Sequence, residues 1–186
     1  MEGTTVTWTD EELMALPRDG CKRELIDGAI IMRPAGFDHE RIGAKLLAAL
    51  ATHAEKEKLG VVCGSSLGCR MANGDVLSPD VSFVASSRVP VAGRASKRFF
   101  PGALDLVAEI LSPFDTLAKT QRKLQDYFAN GTRLAWVLNP QEKSVLVYRT
   151  TAAAKLLRTA DTLDGEDIVP GFQLGLTDLF AEPALG

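Results

Sequence analysis

Metal-binding cysteine motifs are missing from this sequence. Its three cysteines, Cys21, Cys63 and Cys69, form no CxxC pair, and there are two histidines, so a structural zinc site lacks its ligands. An odd, scattered set of thiols also fits a reduced, cytoplasmic protein better than a disulfide scaffold. No apolar run approaches the roughly 20 residues that cross a bilayer, so no membrane partner is expected. The first residues, MEGTTVTWTDEE, are polar and acidic, unlike a secretory signal. Also absent are a phosphate-binding GxxxxGK[ST], a GxGxxG after a strand, a GxSxG elbow and an HExxH helix. These gaps remove nucleotide-loop, dinucleotide, serine-hydrolase and zincin chemistry from consideration.

What is present is enough for a core. The 186 residues are 46% hydrophobic and 24% charged, which suits one soluble domain spanning 1–186. A net charge of −3 argues against wholesale coating of nucleic acid. Yet no acidic residue lies between Asp80 and Asp105, where Arg88, Arg94, Lys97 and Arg98 all fall. Alone, that segment reads as a solvated loop; beside a metal site, Arg94, Lys97 and Arg98 are candidates for phosphate contacts.

Patterning predicts a mixed α/β fold, with a central mixed sheet flanked by helices. WTDEELMAL should open with a short helix capped by Thr9 and Glu12, and Trp8 is placed to staple against Leu13. In CKRELIDGAIIM, Asp27-Gly28 signals a tight hairpin. A long helix is expected from about Asp38 to Lys58, with Ile42, Leu46, Ala49, Leu50 and His53 at helical spacing and Gly60 as the stop. Short strands follow: VVCG, GCRM before an Asn73-Gly74 turn, and DVSFVA. DLVAEIL is the most apolar and the natural centre of the sheet. FDTLAKTQRKLQDYFANG reads as a second long helix, with Leu117, Leu124 and Phe128 facing the core. RLAWVL and SVLVY form a hairpin through NPQEK. The tail, including VPGFQLGLTDLF, is expected to contain short strands packed back on the body.

One carboxylate does not belong where it lies. In LVAEILSP, Glu109 shares a face with Val107 and Leu111, and stripping water from an ionised carboxylate costs several kcal/mol unless something compensates. A buried salt bridge, a protonated carboxyl or a divalent cation would each answer. Asp80, directly after Pro79 at the start of DVSFVA, offers a second carboxylate, with Asp80, Ser82 and Val84 sharing a face. Two carboxylates converging at strand ends can hold Mg²⁺, leaving other positions for water and phosphate oxygens. Lys119, Lys123 and Tyr127 recur at intervals of four on the following helix, and Lys123 lies beside its core-facing side. Lys119 reads as solvated. Glu24 is an equal contest between a hairpin salt bridge with Arg23 or Lys22 and a place in the site. His39 opens the first long helix, where it could reach a phosphate or orient another ligand, although a lone histidine at a helix start is usually only a surface residue; His53 carries no chemistry.

In order along the chain, RELIDGAIIMRP, DHERIG, SPDVSFV, DLVAEILSP, KLQDYFANGTRLAWVLNP and VPGFQLGLTDLF resemble the Uma-two family of the restriction-endonuclease-like PD-(D/E)XK superfamily. The resemblance covers nearly the whole chain. It implies a restriction-endonuclease-like core with an extra N-terminal hairpin and C-terminal strands, and Mg²⁺-dependent cleavage of phosphodiester bonds, Mn²⁺ being a possible substitute. Asp80 matches the aspartate of the first half-motif and Glu109 the acid of the second. The superfamily's usual lysine, two residues after that acid, is replaced here by Leu111, and Lys123 matches a lysine on the following helix. Glu24 matches an early acidic residue and His39 the family's helix-opening histidine. Where the family helix commonly carries an aspartate one turn before that lysine, this chain has Lys119. The resemblance thus implies Asp80, Glu109 and the Ile110 backbone carbonyl as metal ligands, DNA as the expected substrate, and a homodimer. Two rivals stay open: a non-catalytic nucleic-acid-binding or dimeric interaction module that keeps the fold, and a hydrolase of a smaller phosphodiester.

Overall fold

The computed structural model describes residues 7–17, 19, 21–32, 35–89, 99–113 and 115–183. It opens with α1 (Asp10–Ala15), where the Thr9 hydroxyl accepts from the Glu12 amide and the Glu12 carboxylate accepts from the Thr9 amide at 2.8 Å. This is the expected capping box. Strands β1 (Arg23–Ile26) and β2 (Ala29–Met32) form an antiparallel hairpin. Its turn places Asp27 and Gly28 at φ of 50° and 72°, the left-handed pair that a tight hairpin requires. Helix α2 (Phe37–Lys56) and β3 (Gly60–Gly64) follow. Next come β4 (Cys69–Arg70), β5 (Val76–Leu77) and β6 (Val81–Ala85). Beyond these lie β7 (Phe100–Pro101), β8 (Leu106–Ile110) and α3 (Leu117–Ala129), with Thr116 as its N-cap. The chain continues through β9 (Leu134–Asn139), β10 (Ser144–Thr150), β11 (Ala153–Leu157), β12 (Thr162–Asp164), β13 (Gln173–Gly175) and α4 (Leu176–Phe180).

The main sheet has six strands in the order β11-β10-β9-β8-β6-β3. It is mixed, because β8 and β9 run parallel across the α3 crossover while the other pairs are antiparallel. β8 lies inside the sheet and all five of its residues are buried, which explains its unbroken apolar character. A second sheet, β2-β1-β5-β4-β7, holds the N-terminal hairpin, and β12-β13 form a small ribbon.

Each face of the main sheet has its own helix. Ile42, Leu46, Leu50 and Ala54 recur every four residues along α2 and pack with Val81, Phe83, Leu106, Ala108, Ile110 and Trp136. The tail closes this layer, with Phe172 stacked on Trp136 at 5.9 Å and the α4 residues Leu176, Leu179 and Phe180 buried. On the opposite face, Leu124 and Tyr127 of α3 pack with Val84, Val107, Ala135 and Val137, beside Leu77 and Met71 from around the second sheet. Odd-numbered positions of β8 therefore face α3, and the last of them is Glu109. His53 stays structural: a ring nitrogen pairs with the Pro170 carbonyl at 2.9 Å, and the ring packs edge-on against Phe172.

The β3–β6 edge is tight enough to demand glycine. A Cβ on Gly60 would stand 2.0 Å from the Val84 carbonyl oxygen, a backbone atom that cannot swing away. Gly60→Ala is expected to cost roughly 1–3 kcal/mol through overpacking, read as a lower urea midpoint with an unchanged far-UV circular dichroism spectrum before the transition.

Candidate active site

The β6–β8 ladder brings the two unusual carboxylates side by side. Val81 pairs with Ala108, so the next place outward sets Asp80 beside Glu109, and the Asp80 amide extends the ladder to the Ala108 carbonyl at 3.0 Å. Pro79, with no N–H to offer, ends the pairing there. Both side chains line one cavity of about 540 Å³, together with Lys22, Glu24, His39 and Lys123.

Glu109 has found its partners on α3. The Lys123 ammonium lies 2.8 Å from both carboxylate oxygens, and the Tyr127 hydroxyl donates to Oε1 at 2.6 Å. Lys123 also reaches Glu24 Oε1 at 2.9 Å, and that oxygen accepts the Ser78 amide at 2.8 Å. Strands β1 and β8 and helix α3 thus meet at one buried ammonium. The local salt bridge weighed for Glu24 does not form: Arg23 pairs with Asp19, and Lys22 crosses to Asp80.

Asp80 is held from three sides. Its Oδ2 accepts the Ile110 amide at 2.8 Å and faces His39 Nε2 at 3.1 Å, while its Oδ1 lies 2.6 Å from Lys22 Nζ. His39 comes from the first turn of α2, and its buried Nδ1 has no hydrogen-bond partner among the described residues, with the Glu40 carboxylate at 3.4 Å.

These surroundings push the two acids in opposite directions. Burial opposes ionisation of Asp80, but the His39 hydrogen bond and the Lys22 charge outweigh it, so its pKa falls below the usual carboxylate range. For Glu109, burial dominates, and the nearby Asp80 and Glu24 add to it against Lys123; its pKa rises. Burial disfavours the Lys123 ammonium, yet Glu109 and Glu24 overcome that, raising its pKa and keeping it charged. Burial likewise opposes protonation of His39, and Asp80 and Glu40 outweigh it, so the imidazole pKa rises. Burial and Glu109 hold the Tyr127 phenol well above its ordinary value, as a permanent donor.

The donor set suits a hard divalent cation. Its ligands are carboxylate oxygens, and Lys22 already places a positive charge on Asp80 Oδ1. Among the described residues no three His, Cys, Asp or Glu side chains converge closely enough to enclose an ion. A cation that uses one or two carboxylates and keeps water or phosphate oxygens elsewhere, as Mg²⁺ does, fits such a set.

Of the residues singled out in the sequence, Glu24, His39, Asp80, Glu109, Ile110 and Lys123 line the same cavity. Lys119 is exposed, as its solvated reading had it. Arg88 is occupied structurally, 3.2 Å from Asp105 and donating to the Ala103 carbonyl at 2.7 Å. Arg94, Lys97, Arg98 and the Leu117 side chain lie outside the described residues. Lys22 is the site residue that sequence reasoning missed; its two-residue offset from Glu24, which puts both on one side of an extended chain, is the signal that could have found it.

A family model described as "Uma2: Putative restriction endonuclease" matches residues 10–177. No curated protein matches the chain. Among solved structures, the chain is similar to the crystal structure of a "putative nuclease belonging to DUF820" from Anabaena variabilis, at 24% identity and a TM-score of 0.79, over 92% of this chain and 97% of that one. At that identity the likeness speaks for the fold, a mixed α/β architecture.

Removing the shared ammonium should expose how the site is held. Lys123→Met leaves Glu24 and Glu109 without their common counter-charge and should destabilise the fold by about 3–5 kcal/mol at pH 7. Without Lys123, burial raises the folded-state pKa of Glu109 further. A carboxyl raised on folding favours the folded state most below its ordinary value, 4.5 here, and that advantage is lost as pH rises through the folded value. The deficit against wild type should therefore be largest at pH 7 and shrink towards pH 4.5, as read from urea denaturation across that range.

Proposed function

The chain belongs to the Uma2 family, and from that premise we propose that it is a Mg²⁺-dependent endonuclease that hydrolyses phosphodiester bonds of nucleic acid, with DNA as the expected substrate. The observation that carries this reading is the meeting of Asp80 and Glu109, on adjacent strands, with the buried ammonium of Lys123 in one cavity.

Asp80, Glu109 and the Ile110 backbone carbonyl would hold the ion, with Glu24 beside them. When bound, Mg²⁺ polarises the scissile phosphate and lowers the pKa of a coordinated water. The rest falls to the chain. Asp80 stays ionised because Lys22 and His39 depress its pKa, so it presents an anionic ligand throughout the neutral range. Lys123 has a raised pKa and stays protonated, which rules it out as a base that takes a proton from water. Its role is to donate: it orients the attacking water or steadies the negative charge that develops on the phosphate oxygens. Tyr127 fixes Glu109 from the other side, so the carboxylate and the ammonium keep their spacing while substrate comes and goes. His39, at the cavity wall, is placed to steady Asp80 or meet a phosphate. Nucleases that cut both strands of a duplex often pair two such sites, so the reading extends to a homodimer.

Plasmid nicking tests the proposal. Wild type should nick supercoiled DNA only with Mg²⁺ or Mn²⁺, and Asp80→Ala and Lys123→Ala should each lower the rate by on the order of 100-fold or more. Equal activity in all three proteins would assign the nicking to a contaminant or to a different site. Calorimetry separates the enzyme from a non-catalytic module of the same fold: the enzyme binds Mg²⁺ in a manner abolished by Asp80→Ala and Glu109→Ala, and the module does not.

A further inference from the structure

The two ammonium groups of the cavity are not equivalent. Lys123 is buried at the floor, fixed between Glu109 and Glu24 and already charge-balanced. Lys22 is at the rim, its side chain 27% exposed, and among the described residues its ionic partner is Asp80 alone. The two oxygens of Asp80 are equally distinct. Oδ2 is anchored by the Ile110 amide and His39, whereas Oδ1 carries Lys22 at 2.6 Å. A cation arriving at Asp80 would thus meet Oδ1 covered by a residue from the approach to β1.

We infer that Lys22 is a placeholder cation: it occupies Asp80 Oδ1 while no divalent ion is bound, and is displaced to the cavity mouth when one binds, where it contacts a nucleic-acid phosphate. This rests on the function proposed above and adds a residue to it. With neither Lys22 nor a metal ion, the cavity would set three carboxylates, Glu24, Asp80 and Glu109, against Lys123 and a half-buried histidine, so a resident counter-charge relieves their repulsion. Once a doubly charged ion shares Asp80, an ammonium on the same oxygen is repelled. The flexible four-carbon stem lets Lys22 leave without moving the strand. It leaves towards solvent, the side from which a polyanion arrives. One side chain would then compete with the metal before substrate binds and attract phosphate after the metal binds.

The test uses the full chain and compares wild type, Lys22→Met and Lys22→Arg, with thermal melts confirming that each is folded. In calorimetry without nucleic acid, Lys22→Met should bind Mg²⁺ roughly fivefold more tightly, the equivalent of one partly exposed ion pair. Binding of a phosphorothioate duplex at saturating Mg²⁺, followed over a salt series, should lose about 0.9 from the magnitude of the log–log slope in Lys22→Met, one phosphate contact fewer. Lys22→Arg should keep both wild-type values. Unchanged Mg²⁺ affinity or an unchanged slope in Lys22→Met overturns the inference while leaving the nuclease reading intact, provided wild type binds Mg²⁺ through Asp80. If wild type shows no Asp80-dependent Mg²⁺ binding, both fall together.

Discussion

The Lys123 ammonium, buried between Glu109 and Glu24, is the contact on which the rest of this molecule is organised. A charge at that depth is tolerable only with opposite charge and hydrogen bonds on every side. Its two carboxylate partners come from distant parts of the chain, Glu109 from the central strand and Glu24 from the N-terminal hairpin, and Tyr127, one turn further along α3, holds Glu109 in place by donating to it. The hairpin sheet is thus tied to the main sheet by charge as well as by apolar packing. That explains why the second sheet, with several two-residue strands, holds its place against the body.

Strand alternation explains how Lys123 can reach Glu109 from a helix. Two residues along a strand is about 6.6 Å on the same face, and that is where the superfamily's usual lysine would stand after its acid. Here Leu111 takes the position and joins the apolar layer under α3. The helix that covers this face carries Lys123 immediately before the buried Leu124, and its long stem brings an ammonium to 2.8 Å from Glu109. A charge delivered from a covering helix depends on that helix staying seated, so Leu124 and Tyr127 serve the site and the core together.

Much of this was legible in the sequence, for local reasons. Turn residues such as Asp27-Gly28, the Thr9–Glu12 box and the four-residue repeat of Ile42, Leu46 and Leu50 each report on their own neighbourhood. Period-two alternation placed Asp80 and Glu109 on faces that the β6–β8 register then aligned. Partnerships across long separations were not legible. Arg23 and Lys22 flank Glu24 and look like its counter-ions, but Arg23 turns back to Asp19 and Lys22 reaches Asp80, 58 residues away. Strands β5 and β7, of two residues each, are too short to show any period. β5 forms by pairing with β1 of the hairpin, and β7 by pairing with β4 at the far edge of the same sheet.

The two carboxylates are neighbours across one ladder, yet their environments drive them apart, and that difference assigns their parts. Asp80 is kept anionic by His39 and Lys22, and Lys22, at the rim, is partly exposed and can be exchanged. Glu109 is enclosed by α3 and is satisfied by Lys123 and Tyr127, neither of which can leave without opening the core. Exchange of partners is therefore far easier at Asp80 than at Glu109. Under the proposed function, a metal ion would be recruited at Asp80 and would find Glu109 already positioned. A pair of titratable groups pushed in opposite directions by their surroundings is a common arrangement where one fold must keep one group ready and another fixed. The register of a single strand pair, with a hairpin lysine on one side and a helix lysine on the other, is enough to build it.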